Sequence, residues 1–249
     1  MTRLIRSNLY QMIHTKAFWI MIIGFAGLII GTPYINEVSS ANTFLLGQAS
    51  SSEVVCAMIP MFVAFLVGRG YHHRTCMYEV MSGNSPSRIL FSKLLGIALP
   101  LAILFELLTI IGFGISCTMG YTDLGSLLVR ESLFFVVFLR ATTMGVLITT
   151  CMKSLGSIGI AYVRVLAESF IIMIYEATSG GDFHASAGTD MVTSSGSRIL
   201  NCLCITAQPG IIASQPLDST LFLQIFLGFF AELLIWLGLS YIIYKKKDY

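Results

Sequence analysis

Charge is what this chain lacks. Of its 249 residues only 11% are Asp, Glu, Lys or Arg and 55% are hydrophobic, where a soluble domain carries about 25% charged residues. Mean hydropathy is +0.81, which places the chain among integral membrane proteins. A net charge of +2 is too small to point to a nucleic-acid partner. Nucleotide chemistry is excluded in its commonest form, since no G-x-x-x-x-G-K-S/T phosphate loop occurs.

Intramembrane catalysis also finds little to work with. The four histidines (14, 72, 73 and 184) fall outside the apolar runs, and neither H-E-x-x-H nor E-E-x-x-x-R is present. His72 and His73 are adjacent, so they point in different directions on a helix. The six cysteines (56, 76, 117, 151, 202 and 204) have no paired C-x-x-C spacing, and buried ones act as small hydrophobes. Cys202 and Cys204 stand two residues apart, a poor spacing for a mutual disulfide. The chain is expected not to be catalytic and to hold no metal or cofactor of its own.

What is present is length in the apolar runs. A helix needs about 20 residues to cross a bilayer, and six runs approach or exceed that: 17–35, 53–68, 94–119, 127–152, 156–176 and 219–244. They do not alternate and are too long for barrel strands. The expectation is an all-α integral membrane protein of six transmembrane helices in a single domain. The start, "MTRLIRSNLYQMIHTKAFWIMIIGFAGLII", resembles a signal peptide, but "GTPYINEV" follows without an A-x-A-like cleavage site, so it reads as a retained anchor.

Lys and Arg accumulate on the cytoplasmic side. With the N-terminus inside, 11 of the 15 Lys and Arg residues fall in cytoplasmic pieces, three lie within spans, and Arg198 alone is outside. Both termini are therefore expected in the cytoplasm of a multi-pass cell-membrane protein.

Three segments are neither spans nor plain loops. Residues 3–15 gather Leu4, Ile5, Leu9, Met12 and Ile13 on one helical side, opposite Arg3, Arg6, Ser7, Gln11 and His14. That pattern predicts an interfacial helix. Residues 177–218 form an external loop whose second half, with "ILNCLCI" and "GIIA" broken by Pro209 and Pro216, fits either an exposed loop or a re-entrant segment. The re-entrant form is expected here, packed on the bundle before the last span.

The third segment is the connection 69–93, "RGYHHRTCMYEVMSGNSPSRILFSK". Met77, Val80 and Met81 fall at i, i+3 and i+4, with Thr75, Tyr78, Glu79 and Ser82 opposite, which is helical amphipathicity in two turns. Gly83 and Asn84 can end that helix. Ser85 then serves as N-cap and Pro86 as the first residue of the next helix. Two turns do not hold themselves as helix in water, so the element needs a surface to dock on.

The basic stretch, the short helix and "SGNSPSRILFSKLL" resemble the cytoplasmic loop of ABC transporter permeases of the second type, ABC-2. The matching positions are Ser82, Gly83, Ser85, Arg88 and Lys93. The layout of interfacial helix, six spans and long last external loop is similar as well. Among bacterial permeases of this size, those of lantibiotic-immunity and bacitracin-type exporters are similar. The resemblance implies that Arg74, Met77, Tyr78, Glu79, Val80, Met81, Gly83 and Arg88 form a coupling helix that sits in an ATPase subunit. It implies ATP and Mg on that separate ATPase dimer, a second permease subunit (identical or related), and export of an amphipathic substrate such as an antimicrobial peptide. The alternative is an ion-coupled carrier or channel that needs no ATP.

Ionisable residues inside spans are costly and are functional candidates. Glu106, Arg140, Arg164, Glu168 and Glu232 lie deep in the runs, with Arg130 and Glu131 nearer an outer end. Counted from the inner ends given above, Glu106, Arg140, Glu168 and Glu232 share a depth of about 18 Å at 1.5 Å per residue. Arg164 and Glu168 are placed to pair at i, i+4. The five are expected to form a polar network that fixes packing or borders the transport path, with a proton relay, disfavoured by the lack of histidines in the spans, as the third option.

Overall fold

In hydrocarbon a lone segment can satisfy its backbone only as helix, and this sequence is mostly such segments. The computed structural model describes residues 1–31, 41–72, 81–118, 124–178, 203–214 and 217–246. Every element among them is helical: α1 (Thr2–Ile13), α2 (Lys16–Ala26, continued by a π turn Gly27–Gly31), α3 (Ala41–His72), α4 (Pro86–Lys93), a π turn Leu94–Ala98, α5 (Leu99–Thr118), α6 (Leu124–Met152), α7 (Ser157–Thr178), α8 (Gln208–Ser214) and α9 (Ser219–Lys246).

Five stretches are long and apolar enough to cross a membrane: Gly47–Tyr71, Ser87–Ile115, Gly125–Met152, Ser157–Ile174 and Ser219–Ile243. A sixth arises if α1 and α2, bent by 69° at their junction, are taken together. The protein is thus an all-α, multi-pass membrane protein.

Two sequence boundaries need correcting. The second span is not the short run 53–68 but Gly47–Tyr71. Ser51 and Ser52 lowered the apparent hydropathy of its first turns, yet both are buried in the bundle. The third span begins at Ser87 rather than 94, because Pro86–Lys93 runs through the π turn into α5 without a break. The connection 69–93 is therefore shorter than expected, with α3 reaching His72 and α4 opening at Pro86. At the chain start, α2 and its π turn cover Lys16–Gly31, and residues 32–35 of the expected first span lie outside the described residues.

One helix carries the bundle. The span in α6 is 89% buried, whereas those in α7 and α9 are 17% and 22% buried. So α6 is the central pillar and α7 and α9 are peripheral staves. A buried helix must hide its polar side chains, and α6 does so locally. Thr142, Thr143, Thr149 and Thr150 each donate to the carbonyl four residues back, at 2.9, 2.7, 2.7 and 2.7 Å, which satisfies a hydroxyl without a second helix.

Close approach of α3 to α6 depends on Gly145. A β-carbon there would sit 2.7 Å from Val63 Cβ and 2.9 Å from the Pro60 carbonyl oxygen. Pro60 lies inside α3, where it removes one backbone donor. Beyond this crossing the core is aromatic: Phe25 meets Phe62 and Phe105 at 5.8 and 5.5 Å, Phe105 meets Phe138 at 5.7 Å, and Phe134 meets Phe113 at 6.2 Å. These edge-on and tilted pairs are favourable ring geometries.

At one end of the bundle α1 lies across α4 and the π turn that follows it. Asn8 Nδ2 donates to Ser92 Oγ at 3.3 Å, both residues buried. Gly96 lets α1 settle there, since an added β-carbon would stand 3.1 Å from both the Ile5 carbonyl oxygen and Asn8 Cβ. Lys93, only 3% exposed, holds its ammonium 4.2 Å from the Tyr71 ring centre, a cation–π contact. Gly96→Leu is expected to lift α1 off this seat, at about 1–3 kcal/mol of overpacking. Protease cleavage near residue 14 should accelerate in the variant, and an unchanged cleavage rate would count against the seat.

Candidate functional site

Four charged side chains meet midway along the central helix. Arg140 Nε of α6 lies 2.6 Å from Glu232 Oε2 of α9. The other oxygen of Glu232 is 2.7 Å from Arg164 Nη2 of α7, and that same nitrogen is 2.9 Å from Glu168 Oε1, one turn further along α7. Two cations and two anions thus alternate across three helices and cancel.

The polypeptide between α7 and α9 closes the cluster. Arg140 Nη2 donates to the Leu203 carbonyl at 3.1 Å, and Thr206 donates to Glu168 Oε2 from both its backbone N–H and its hydroxyl at 3.2 Å. Arg164 also touches Met144 Sδ. Buried charge survives only when paired and hydrogen-bonded, and these contacts supply most of what the four groups require.

The cluster has an open side. Arg164 and Glu232 keep 20% and 14% of their side-chain surface exposed, while Arg140 is 3% exposed. Arg140 Nη1 has no hydrogen-bond partner among the described residues. It borders a shallow groove between α6 and α9 that has no room for a water molecule, with Met144, Leu147, Phe229 and Trp236 on its walls. The arrangement is closed around its own charges.

Glu106 is not part of this group. Its carboxyl lies beside that of Glu131 on α6. Glu131 lies nine residues before Arg140, about 13.5 Å along the helix at 1.5 Å per residue. The shared depth expected for Glu106 rested on a span starting at 94. With the helix running from Pro86, Glu106 stands further along the bundle, and it faces a different neighbour.

Two ionisable residues hold α8. Arg130 Nη1 donates to the Ala213 carbonyl at 2.8 Å and to that of Ile212, filling acceptors that a helix C-terminus leaves open. Glu53 of α3 accepts from the backbone of Gly210. Sequence reasoning passed over Glu53 because it sat on the edge of a run taken to start there. The signal that could have found it is the helical face shared with Cys56 and the apolar residues that follow. Cys204, Ile205, Ile211 and Ile212 are buried, so the second half of this connection packs into the bundle rather than standing clear of it. Cys204 is a free thiol, and Cys202 lies outside the described residues.

Of the expected coupling residues, Arg74, Met77, Tyr78, Glu79 and Val80 also lie outside the described residues. The remainder form a helix end and a turn. Met81 is helical and 81% exposed. Gly83 takes φ +77°, the left-handed conformation that suits glycine. Ser85 is extended at φ −66°, ψ 149°, with its carbonyl accepting from Ile89 N–H at 3.1 Å and no side-chain cap bond, and Pro86 opens α4. Arg88 is exposed one turn into that helix.

No protein-family model matches the chain, and no curated protein sequence matches it.

Proposed function

We propose that this protein is the membrane-spanning permease subunit of an ATP-driven exporter, with both termini and the connection 69–93 on the cytoplasmic side of a cell membrane. The orientation rests on the 11 cations gathered at that side. The observation that carries the proposal is Met81, a large apolar residue 81% exposed beside a left-handed Gly83 and the fresh start of α4. An exposed methionine on a tight turn between two spans is a contact group in want of a protein surface. The turn feeds directly into α4 and α5, so a push there is delivered to the helices that pack on α6. The resemblance to ABC-2 permeases supplies the identity of the partner, an ATPase dimer that binds ATP and Mg.

A second permease subunit fits the open side of the ion cluster. Arg164 and Glu232 are partly exposed between α7 and α9, whose spans are mostly unburied, and charge facing lipid costs a few kcal/mol. An amphipathic substrate, such as an antimicrobial peptide, would pass where the two subunits meet. The second reading is an ion-coupled carrier that needs no ATPase, and the intramembrane carboxyls favour it.

Co-purification separates the two. Met77, Val80 and Met81 changed together to Asp should abolish recovery of a nucleotide-binding subunit from the native membrane while leaving the permease folded. Retention of the ATPase by that variant, or transport by the purified chain alone, overturns the proposal.

A further inference from the structure

The pair Glu106 and Glu131 takes no part in the arginine cluster, and its chemistry follows from its surroundings. Glu131 Oε2 accepts from Thr109 Oγ1 at 3.1 Å, and the Thr109 carbonyl accepts from Gln48 Nε2 at 3.0 Å. The Gln48 carboxamide is thereby fixed on the turn of α5 that faces Glu131. Gln48 and Ser52, one turn apart on α3, are 1% and 0% exposed, and Gln48 Oε1 and Ser52 Oγ have no hydrogen-bond partner among the described residues. Nor do Glu106 Oε2 and Glu131 Oε1.

No cation is directed at these carboxyls among the described residues. Arg130, beside Glu131 on α6, is turned to the carbonyls of Ile212 and Ala213. Arg140 and Arg164 are held by Glu232 and Glu168. Glu53 on α3 is turned to Gly210, and α2 with its π turn has no ionisable residue from Ala17 to Gly31. Two adjacent carboxylates with no opposing charge cannot both stay ionised. If both were ionised they would present acceptors only, and a hydrogen bond between them needs a donor.

We propose that Glu106 and Glu131 form a proton-binding site inside the bundle, one proton bridging the two carboxyls beside the Thr109 hydroxyl. The site is distinct from the arginine cluster and does not depend on the exporter reading. It is filled or emptied only when α5 and α6 part enough to admit water. Its balance is simple: the proton comes from water on loading and returns to water on release, and the pair carries net charge −1 when closed and reaches −2 only while water surrounds it.

Infrared difference spectroscopy on the full chain in lipid vesicles at pH 7 tests this. The wild type should give a protonated-carboxyl C=O band that shifts in deuterated water. Glu106→Gln and Glu131→Gln, each keeping shape and a hydrogen bond, should each lose it. Absence of the band in the wild type, its survival in the double variant, or its replacement by a sodium-dependent carboxylate shift overturns the proposal. Should neither Gln variant fold, Thr109→Val, which removes the hydroxyl shared by the Glu131 carboxyl and the Glu106 carbonyl, is expected to move the band, and an unmoved band is equally fatal. ATPase binding enters none of these readings, so the exporter proposal can fail while this one stands.

Discussion

Arg140→Leu is expected to cost about 3–5 kcal/mol of stability, the penalty for breaking a buried ion pair from one side. The loss exceeds that of one contact because the cluster is balanced. Without Arg140, Glu232 and Glu168 share the single cation Arg164, which leaves one negative charge uncompensated at membrane depth, and the Leu203 carbonyl loses its donor. Glu232→Leu should be comparably damaging with the opposite sign, since two guanidiniums would then face Glu168 alone. The double variant Arg140→Leu/Glu232→Leu removes one charge of each sign and leaves the Arg164–Glu168 pair intact. It should recover much of the loss. Thermal unfolding in detergent of the four proteins gives the coupling directly, and a double variant no more stable than the sum of the single losses would refute a charge-balanced cluster. If Arg140→Leu instead keeps its stability and ATPase association but loses transport, the cluster belongs to the transport path and not to packing.

Gly145→Leu is expected to prevent assembly of the bundle, and Gly145→Ala to destabilise it by about 1–3 kcal/mol as overpacking. One of the two atoms in the way is a backbone oxygen, that of Pro60, and the other is a β-carbon, that of Val63. Neither can swing aside as the end of a long side chain would. Relief requires α3 to move away from α6 along their whole contact. Adding Val63→Gly to Gly145→Ala should restore part of the stability, because only the carbonyl clash then remains. Small residues serve membrane helices in this way, letting backbones approach where no hydrophobic force drives them together. Unfolding temperatures of the three variants check it; equal stability of Gly145→Ala and wild type would place the tight crossing elsewhere.

The helices were legible because a bilayer imposes a length on each of them, and composition reports that length without regard to packing. The i, i+4 pairing of Arg164 with Glu168 was legible for a similar reason, being local to one helix. Which helices face one another was not. Glu106 and Arg140 could be put at one depth only by guessing where α5 begins, and the guess failed because Pro86–Lys93 is polar enough to read as loop while being the first two turns of the span. Depth errors of this kind change partners. The π turn Leu94–Ala98 adds a further rotation that no periodicity reveals. Glu53 was overlooked through the opposite fault: a serine-rich start to α3 looked like a loop, although burial inside a bundle makes serine acceptable where lipid would not. The central role of α6 was hidden too, since Thr hydroxyls that bond their own helix count as polar in any hydropathy sum.

The pairing of Arg140 with Glu232 joins residues 92 positions apart, and this has a consequence for synthesis. At roughly 5–20 residues per second, the arginine leaves the ribosome about 5–18 s before its carboxylate exists. Meanwhile α7 carries its own neutralised pair and can enter lipid unaided. It is therefore α9, made after α7, that discharges the guanidinium of the central pillar, and a nascent chain truncated before α9 should be held by the insertion machinery instead of being released into the bilayer.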